Sequence, residues 1–291
     1  MPVILPVSYP LNPVVGYPCV KGISHLEEDA SKNLLKIGIY NIMPQAEQYE
    51  RLILNRLANS TYYIKPLFYK SAVHSYSSSC KKHLQEHYRT LDDFAVEPAH
   101  AIILTGAPVE KLHKDKIHYW DEIDQLIRFC KNTATPLLGI CWGGIAIGLF
   151  LGINAHQSNH KVFGVVKALN LNPQAALMHR IPLSFYCPQS RYAGLDEHDL
   201  ARFEQNGAIN RLAWSKAAGT FLFETADKLL TGHLGHPEYL SERLVFEWTR
   251  DQKLGLNIPA NGFNPYNPID DWSEASQQFF ENWLGRIRVK T

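Results

Sequence analysis

Net charge is almost absent from this chain: among 291 residues, Lys and Arg number 29 and Asp and Glu 28. Without a long-range field of one sign, nothing draws the protein to nucleic acid or to an anionic membrane, and a small, weakly charged partner fits better. Cysteine is sparse as well. The five thiols, Cys19, Cys80, Cys130, Cys141 and Cys187, are odd in number and widely spaced, with no CxxC pair among them. That excludes a disulfide scaffold and a zinc-knuckle pattern, and points to reduced thiols in a cytoplasmic protein. Long apolar runs are missing too, since none reaches the ~18 residues that mark a membrane span. The opening MPVILPVSYPLNPVVGYP has no basic stretch and is broken by prolines, so it is a poor signal peptide. No HExxH, internal repeat or low-complexity segment occurs.

What is present is a folded chain, 45% apolar, large enough to fill one substantial core. Residues 1–30 hold five prolines and no clear period, which reads as an extended arm or a lid rather than a domain. Residues 31–291 read as a single α/β domain. KIGIYNI (36–42) is a buried strand stopped by Met43 and Pro44, and EQYERLILNRLA (47–58) has helical spacing. TYYIKPLFY (61–69) is a further strand candidate, and HLQEHYRTLDDF (83–94) a mixed-charge helical stretch. AHAIILTGAPVE gives a strand over 101–104 with a loop at 105–108, followed by the amphipathic HYWDEIDQLIRFCKNT. PLLGI (136–140) turns at once into the small-residue helix CWGGIAIGLFLGI. Three strand-then-helix units predict an open, mostly parallel sheet with helices on both faces. KVFGVVKAL, AGTFLFET and KLLTGHL are later strands of that sheet or an edge extension. DQKLGLNIPANGFNPYNPIDDW reads as a long loop, and QQFFENWLGRIRV as a closing helix.

Cys141 stands where strand becomes helix, with Gly139 before it and Gly143 and Gly144 after. A nucleophile elbow needs this setting: a sharp turn projects the side chain, small neighbours allow close approach, and the free N–H groups of the new helix stabilise a thiolate and an oxyanion. The bland reading is one more buried thiol, and the other four cysteines read as structural or incidental. A thiol nucleophile needs a base, and a base needs an orienting group. Thirteen histidines are available. In GHLGHPEYL, His236 has Glu238 two residues on, and in an extended segment residues i and i+2 face the same way. His233 lacks such a partner and reads as a structural histidine or a neighbour in the pocket wall. A metal site on His233 and His236 lacks a third ligand.

Taken together, IGIYNIMP, TGAPVE with YW soon after, ICWGG, SRY, TGH, GHPEY, a following RD and the NWL tail resemble, in order, the homoserine O-acyltransferases of methionine biosynthesis, a branch of the class I glutamine amidotransferase-like fold. The likeness runs over roughly residues 34–285. It implies an acyl-CoA co-substrate, no permanently bound cofactor, a thioester on Cys141, His236 as base and Glu238 as the group that holds it. It further implies that Arg250 binds the amino-acid carboxylate, that Arg191 and Ser190 belong to the pocket, and that the backbone N–H groups of Trp142 and Gly106 serve the oxyanion. In this family a glutamate at the Glu110 position goes with acetyl transfer, because a carboxylate there would repel the second carboxylate of a succinyl group. From the residues alone Glu110 is a loop acid. A cytoplasmic homodimer is the family's usual form. Departures occur at Gln45 and Ala46, where a lysine is common after IMP, at Ile145, where a glutamine is usual, and at Gln189, often a histidine. The expectation is therefore a homoserine O-acetyltransferase. A changed acceptor, a succinyl donor, a glutaminase or peptidase on the same triad, and a non-enzymatic binding protein are the alternatives.

Overall fold

The computed structural model describes residues 3–6, 8–10, 19–21, 34–109, 111–256 and 258–287. Among them, twelve strands form one sheet, ordered β2-β1-β4-β3-β6-β7-β12-β11-β10-β8-β9, with β5 beside β4. The strands are β1 (Val3–Leu5), β2 (Cys19–Lys21), β3 (Leu34–Tyr40), β4 (Tyr63–Tyr69), β5 (Tyr88–Arg89), β6 (Ala101–Leu104) and β7 (Leu137–Ile140), then β8 (Ala155–Asn170), β9 (Ser184–Leu195), β10 (Ile209–Ser215), β11 (Gly219–Thr225) and β12 (Leu230–His233). Seven α-helices accompany them: α1 (Ala46–Ala58), α2 (Lys81–His87), α3 (Trp120–Asn132), α4 (Trp142–Leu151), α5 (Glu197–Gln205), α6 (Ser241–Lys253) and α7 (Ser273–Leu284). None of the described helices is long and apolar enough to cross a membrane.

The sheet has two halves. From β2 to β12 every pairing is parallel, and from β12 to β9 every pairing is antiparallel. The central parallel strands β6, β7 and β12 are buried at every position, as strands covered on both faces must be. Helix α3 turns Ile123, Leu126, Ile127 and Cys130 inward at the i, i+3, i+4, i+7 spacing of a one-sided helix. Helix α4, rich in glycine and alanine, is buried from Trp142 to Gly148, so it can lie close against β7 and β12.

Chain order fixes where a ligand can enter. From β3 the chain crosses through α1 to β4 on one side, and from β6 it crosses through α3 to β7 on the other. Right-handed crossovers then put α1 and α3 on opposite faces, and a crevice opens at the carboxyl ends of β3 and β6, where the direction reverses.

Two expectations need amending. The described part of the proline-rich arm is built into the sheet, not laid over it. Val3–Leu5 is buried, and β1 pairs with β4 at Val3 and Ile64, because this apolar triplet finds a strand edge to complete. The stretch HLQEHYRTLDDF is not one helix: α2 stops at His87, and Tyr88–Arg89 pairs with Phe68–Tyr69 instead. SFYCPQSRYAGL, to which the sequence pattern assigns no element, is the long strand β9, paired along β8.

Candidate active site

The carboxyl ends of β3, β6, β7 and β12 converge on Cys141. This residue lies between β7 and α4 with φ 54° and ψ −116°, a conformation that costs an L-residue about 1–3 kcal/mol. The surroundings hold it there. Its N–H donates to the His233 carbonyl at 2.8 Å, and its own carbonyl accepts from Gly144 and Ile145 as α4 begins. The glycines are required by contact. A Cβ on Gly143 would stand 2.5 Å from the Leu104 carbonyl oxygen, and one on Gly139 would stand 2.3 Å from that of Gly143. No larger residue fits where β6, β7 and the first turn of α4 press together.

His236 Nδ1 lies 2.7 Å from Glu238 Oε1, and the ring shares one cleft with the Cys141 thiol, close enough for the two to interact electrostatically. The reason differs from i, i+2 alternation in an extended segment. Residues 236–239 form a turn, closed by the Tyr239 N–H on the His236 carbonyl at 3.2 Å, with Pro237 as its first central residue. The turn is pinned to β9 by the His236 N–H on the Pro188 carbonyl, and to α1 by Arg56, whose guanidinium donates to the Tyr239 carbonyl. Burial alone would disfavour an imidazolium here, but Cys141 and Glu238 outweigh it and hold the His236 pKa well above 6.5. Three residues earlier, burial drives His233 down to about 3, so it is neutral. Its ring packs between Phe221 and Phe279 and does not line the cleft.

Cys141 and His236 open onto a cleft of about 510 Å³. One wall is a network of charges around Glu247, which accepts from Ser190 Oγ (2.5 Å), Tyr239 O–H (2.8 Å) and Arg243 (2.8 Å). Burial works against that charge, yet Arg243 and Lys161 hold the carboxyl down at about 2. Lys161 Nζ is 2.7 Å from Asp251, which also takes the guanidinium of Arg250 at 2.7 Å. The ring of Tyr239 stacks on that of His236, with centroids 3.9 Å apart. Lys161 reaches the cleft because β8 shifts register between Gln157 and Val162, a bulge that re-aims the side chains within it.

The structure thus brings Cys141, His236, Gly106, Ser190 and Arg250 to one cleft, with Glu238 directly behind His236. Trp142 is the first residue of α4, where a backbone N–H has no partner inside the helix. Arg191 is a correction. Neighbours on a strand face opposite ways, so with Ser190 in the cleft Arg191 turns to the other face. There its buried guanidinium donates to Gln189 and to the carbonyls of Ala193 and Ala218. Glu110 lies outside the described residues. Of the four departures, Gln45 lines the cleft, whereas Ala46, Ile145 and Gln189 are buried away from it. Sequence reasoning missed Tyr49, Lys161, Arg243, Glu247 and Asp251. Among the described residues, no group of three His, Cys, Asp or Glu side chains converges as a metal site.

A family model described as homoserine O-succinyltransferase matches residues 18–290. The chain belongs to that family. A homoserine O-acetyltransferase from Clostridium novyi (strain NT) is 31% identical over 299 residues, spanning 98% of this chain and 96% of its own. Another, from Bacillus subtilis (strain 168), is 31% identical over 258 residues, 86% of this chain and 84% of its own. Among solved structures, a glutamine amidotransferase from Thermotoga maritima superposes with a TM-score of 0.57 at 15% identity, covering 88% of this chain and 98% of that one. One from Methylobacillus flagellatus gives 0.56 at 12% identity, covering 89% and 97%. Those two likenesses establish the glutamine amidotransferase-like fold. Membership of the acyltransferase family makes the chain an enzyme of acyl transfer.

Proposed function

We propose that this enzyme transfers an acetyl group from acetyl-CoA to the hydroxyl of homoserine through a thioester on Cys141. The observation that carries the reading is the meeting of Cys141 with the His236–Glu238 pair at the floor of a cleft whose wall mixes both signs of charge. An amino-acid acceptor is a zwitterion, and Arg250 for its carboxylate, with Glu247 or Asp251 for its ammonium, meets both ends. The sulfur of Cys141 attacks the thioester carbonyl, and the C–S bond to CoA breaks as His236 returns a proton to the departing thiolate. Homoserine then enters, His236 takes its hydroxyl proton, the oxygen attacks the acyl carbon, and the sulfur leaves with the proton back on the Cys141–His236 pair. The N–H groups of Trp142 and Gly106 would hold the oxyanion in both steps, each worth about 3 kcal/mol.

Acetyl rather than succinyl is favoured by the relatives' names and by a wall whose cations already have acid partners: Lys161 and Arg250 with Asp251, and Arg243 with Glu247. The enzyme would work in the cytoplasm, where acyl-CoA is supplied, as a homodimer. A second reading keeps the chemistry and changes the acceptor to another small hydroxy amino acid, because Gln45 lines the cleft where the family commonly carries a cation.

Incubation with acetyl-CoA alone is expected to add one acetyl group to the peptide containing Cys141, and homoserine to discharge it with release of CoA. No adduct and no CoA release would overturn the proposal. Discharge by serine but not homoserine would move it to the second reading, and faster acylation by succinyl-CoA would reverse the donor.

A further inference from the structure

We propose that Tyr49 is a positioning residue for the His236–Glu238 pair, donating its hydroxyl to the same Glu238 oxygen that faces His236. This inference rests on the catalytic reading of Cys141, His236 and Glu238. Tyr49 lies on α1, 189 residues from Glu238 in sequence, and its hydroxyl reaches Oε1, the atom that is 2.7 Å from His236 Nδ1. Both residues are sealed from solvent: Glu238 is 0% exposed and Tyr49 1%. A buried carboxylate without donors would be costly, so the contact has an energetic reason to persist.

Helix α1 delivers the hydroxyl to a fixed place because it is anchored on either side of Tyr49. Its next residue, Glu50, is fully buried and accepts from the hydroxyls of Tyr9 and Tyr88 and from His83 Nε2 at 3.0 Å. Two turns on, Arg56 donates at 2.8 Å to the carbonyl of Tyr239, inside the segment that carries the pair. The helix therefore holds the His236 turn by its backbone and the Glu238 carboxylate by its side chain.

Two donors on one oxygen do two things. They fix the plane of the carboxylate, and with it the direction in which the His236 ring presents its other nitrogen to Cys141. They also draw charge from Oε1, making Glu238 a weaker base and limiting how firmly it holds an imidazolium. Burial and the charge of Glu238 push the Tyr49 hydroxyl well above its ordinary range, so it stays protonated and acts as a donor throughout. The other titratable or charged groups facing the pair are Cys141 at the elbow, Cys187 on β9, His233, Tyr239 and Glu247. None of these supplies a donor to Oε1.

The test is Tyr49→Phe alongside 3-fluorotyrosine at the same position, a more acidic phenol of nearly unchanged size. For Tyr49→Phe, kcat for homoserine-dependent CoA release is expected to fall about tenfold, the scale of one charge-assisted hydrogen bond, with both KM values within about twofold. The acid limb of kcat should move to higher pH, since a more basic Glu238 keeps His236 protonated longer, and fluorotyrosine should move it the other way. Alkylation of Cys141 by iodoacetamide needs no acyl substrate, and in Tyr49→Phe it should persist to lower pH. It reports on the pair even if homoserine proves not to be the acceptor, which separates failure of this inference from failure of the proposed function. Limbs and alkylation profiles coinciding with wild type would reduce Tyr49 to packing and overturn the inference. Should Tyr49→Phe not fold, the fluorotyrosine shift decides alone.

Discussion

Two parts of the molecule meet at Cys141 and are built on different rules. The floor of the cleft comes from the parallel half of the sheet, where main chain does the positioning. The Cys141 N–H is held by the His233 carbonyl, and Gly143 presses so close to Leu104 and Thr105 that a single methyl group would collide with both carbonyls. The wall comes from the antiparallel half and α6, and it is made of side chains: Lys161 in a bulge of β8, Ser190 on β9, and Arg243, Glu247, Arg250 and Asp251 on one helix. A floor of close-packed backbone has one arrangement. A wall of paired charges can be rewritten residue by residue while the floor keeps its chemistry. The departures do not respect this division: Gln45, the one that faces the cleft, follows β3 in the parallel half, and Ile145 sits in the first turn of α4.

The comparison breaks most sharply at the floor. His236→Ala is expected to lower kcat for CoA release by about 10⁴-fold or more, as loss of a base in a nucleophile–base unit does elsewhere. Loss of less than about tenfold would remove His236 from the base role. The pH sign follows from its surroundings. In the acyl-enzyme His236 must be neutral to take the acceptor proton, and Glu238 favours its charged form. Activity should therefore fall on the acid side as the ring charges, and Glu238→Gln, which removes the carboxylate that favours the charged ring, should move the limb to lower pH. A limb that stays in place in Glu238→Gln would mean that the carboxylate does not set the charge state of the ring.

How much was legible in the sequence divides along the same line. Strands β6 and β7 are continuous apolar runs and β3 is mostly apolar, each soon followed by glycine or proline, and Cys141 is framed by the small residues its backbone demands, so local pattern reveals them. His236 with Glu238 was also legible, although a turn and not an extended segment joins them. The wall was not. β9 is interrupted by Pro188, which hides its alternation, and without that strand the opposed facing of Ser190 and Arg191 has no basis. Lys161 depends on a register shift against a partner strand some thirty residues on, and Tyr49 on a helix meeting a turn from the far end of the chain. Contacts of that kind leave no periodic trace.

At the wall the expected effect is smaller and of another kind. Arg250 reaches the cleft half-exposed and tied to Asp251, so it is available to an incoming carboxylate without being buried against it. Arg250→Ala should raise KM for homoserine by about 10- to 100-fold, the value of a charge-assisted contact, and leave acetylation of Cys141 by acetyl-CoA almost unchanged. An equal loss in the acylation step would show that floor and wall are not separable in this way.

The smallest effect sharpens the comparison within one short segment. His233 and His236 are three residues apart, yet burial leaves the first neutral between two phenylalanines while partners charge the second. What His233 gives the site is its carbonyl, which holds the Cys141 N–H, and a side-chain substitution leaves that atom in place. His233→Leu removes a ring that does not line the cleft and keeps an apolar side chain in an apolar position. It is expected to change kcat by no more than about twofold. The acid limb should stay where it is, because a histidine already neutral across the working range contributes no titration to it. A shifted limb in a folded His233→Leu enzyme would mean that the two imidazoles titrate together, and the division between a working and a structural histidine would have to be redrawn.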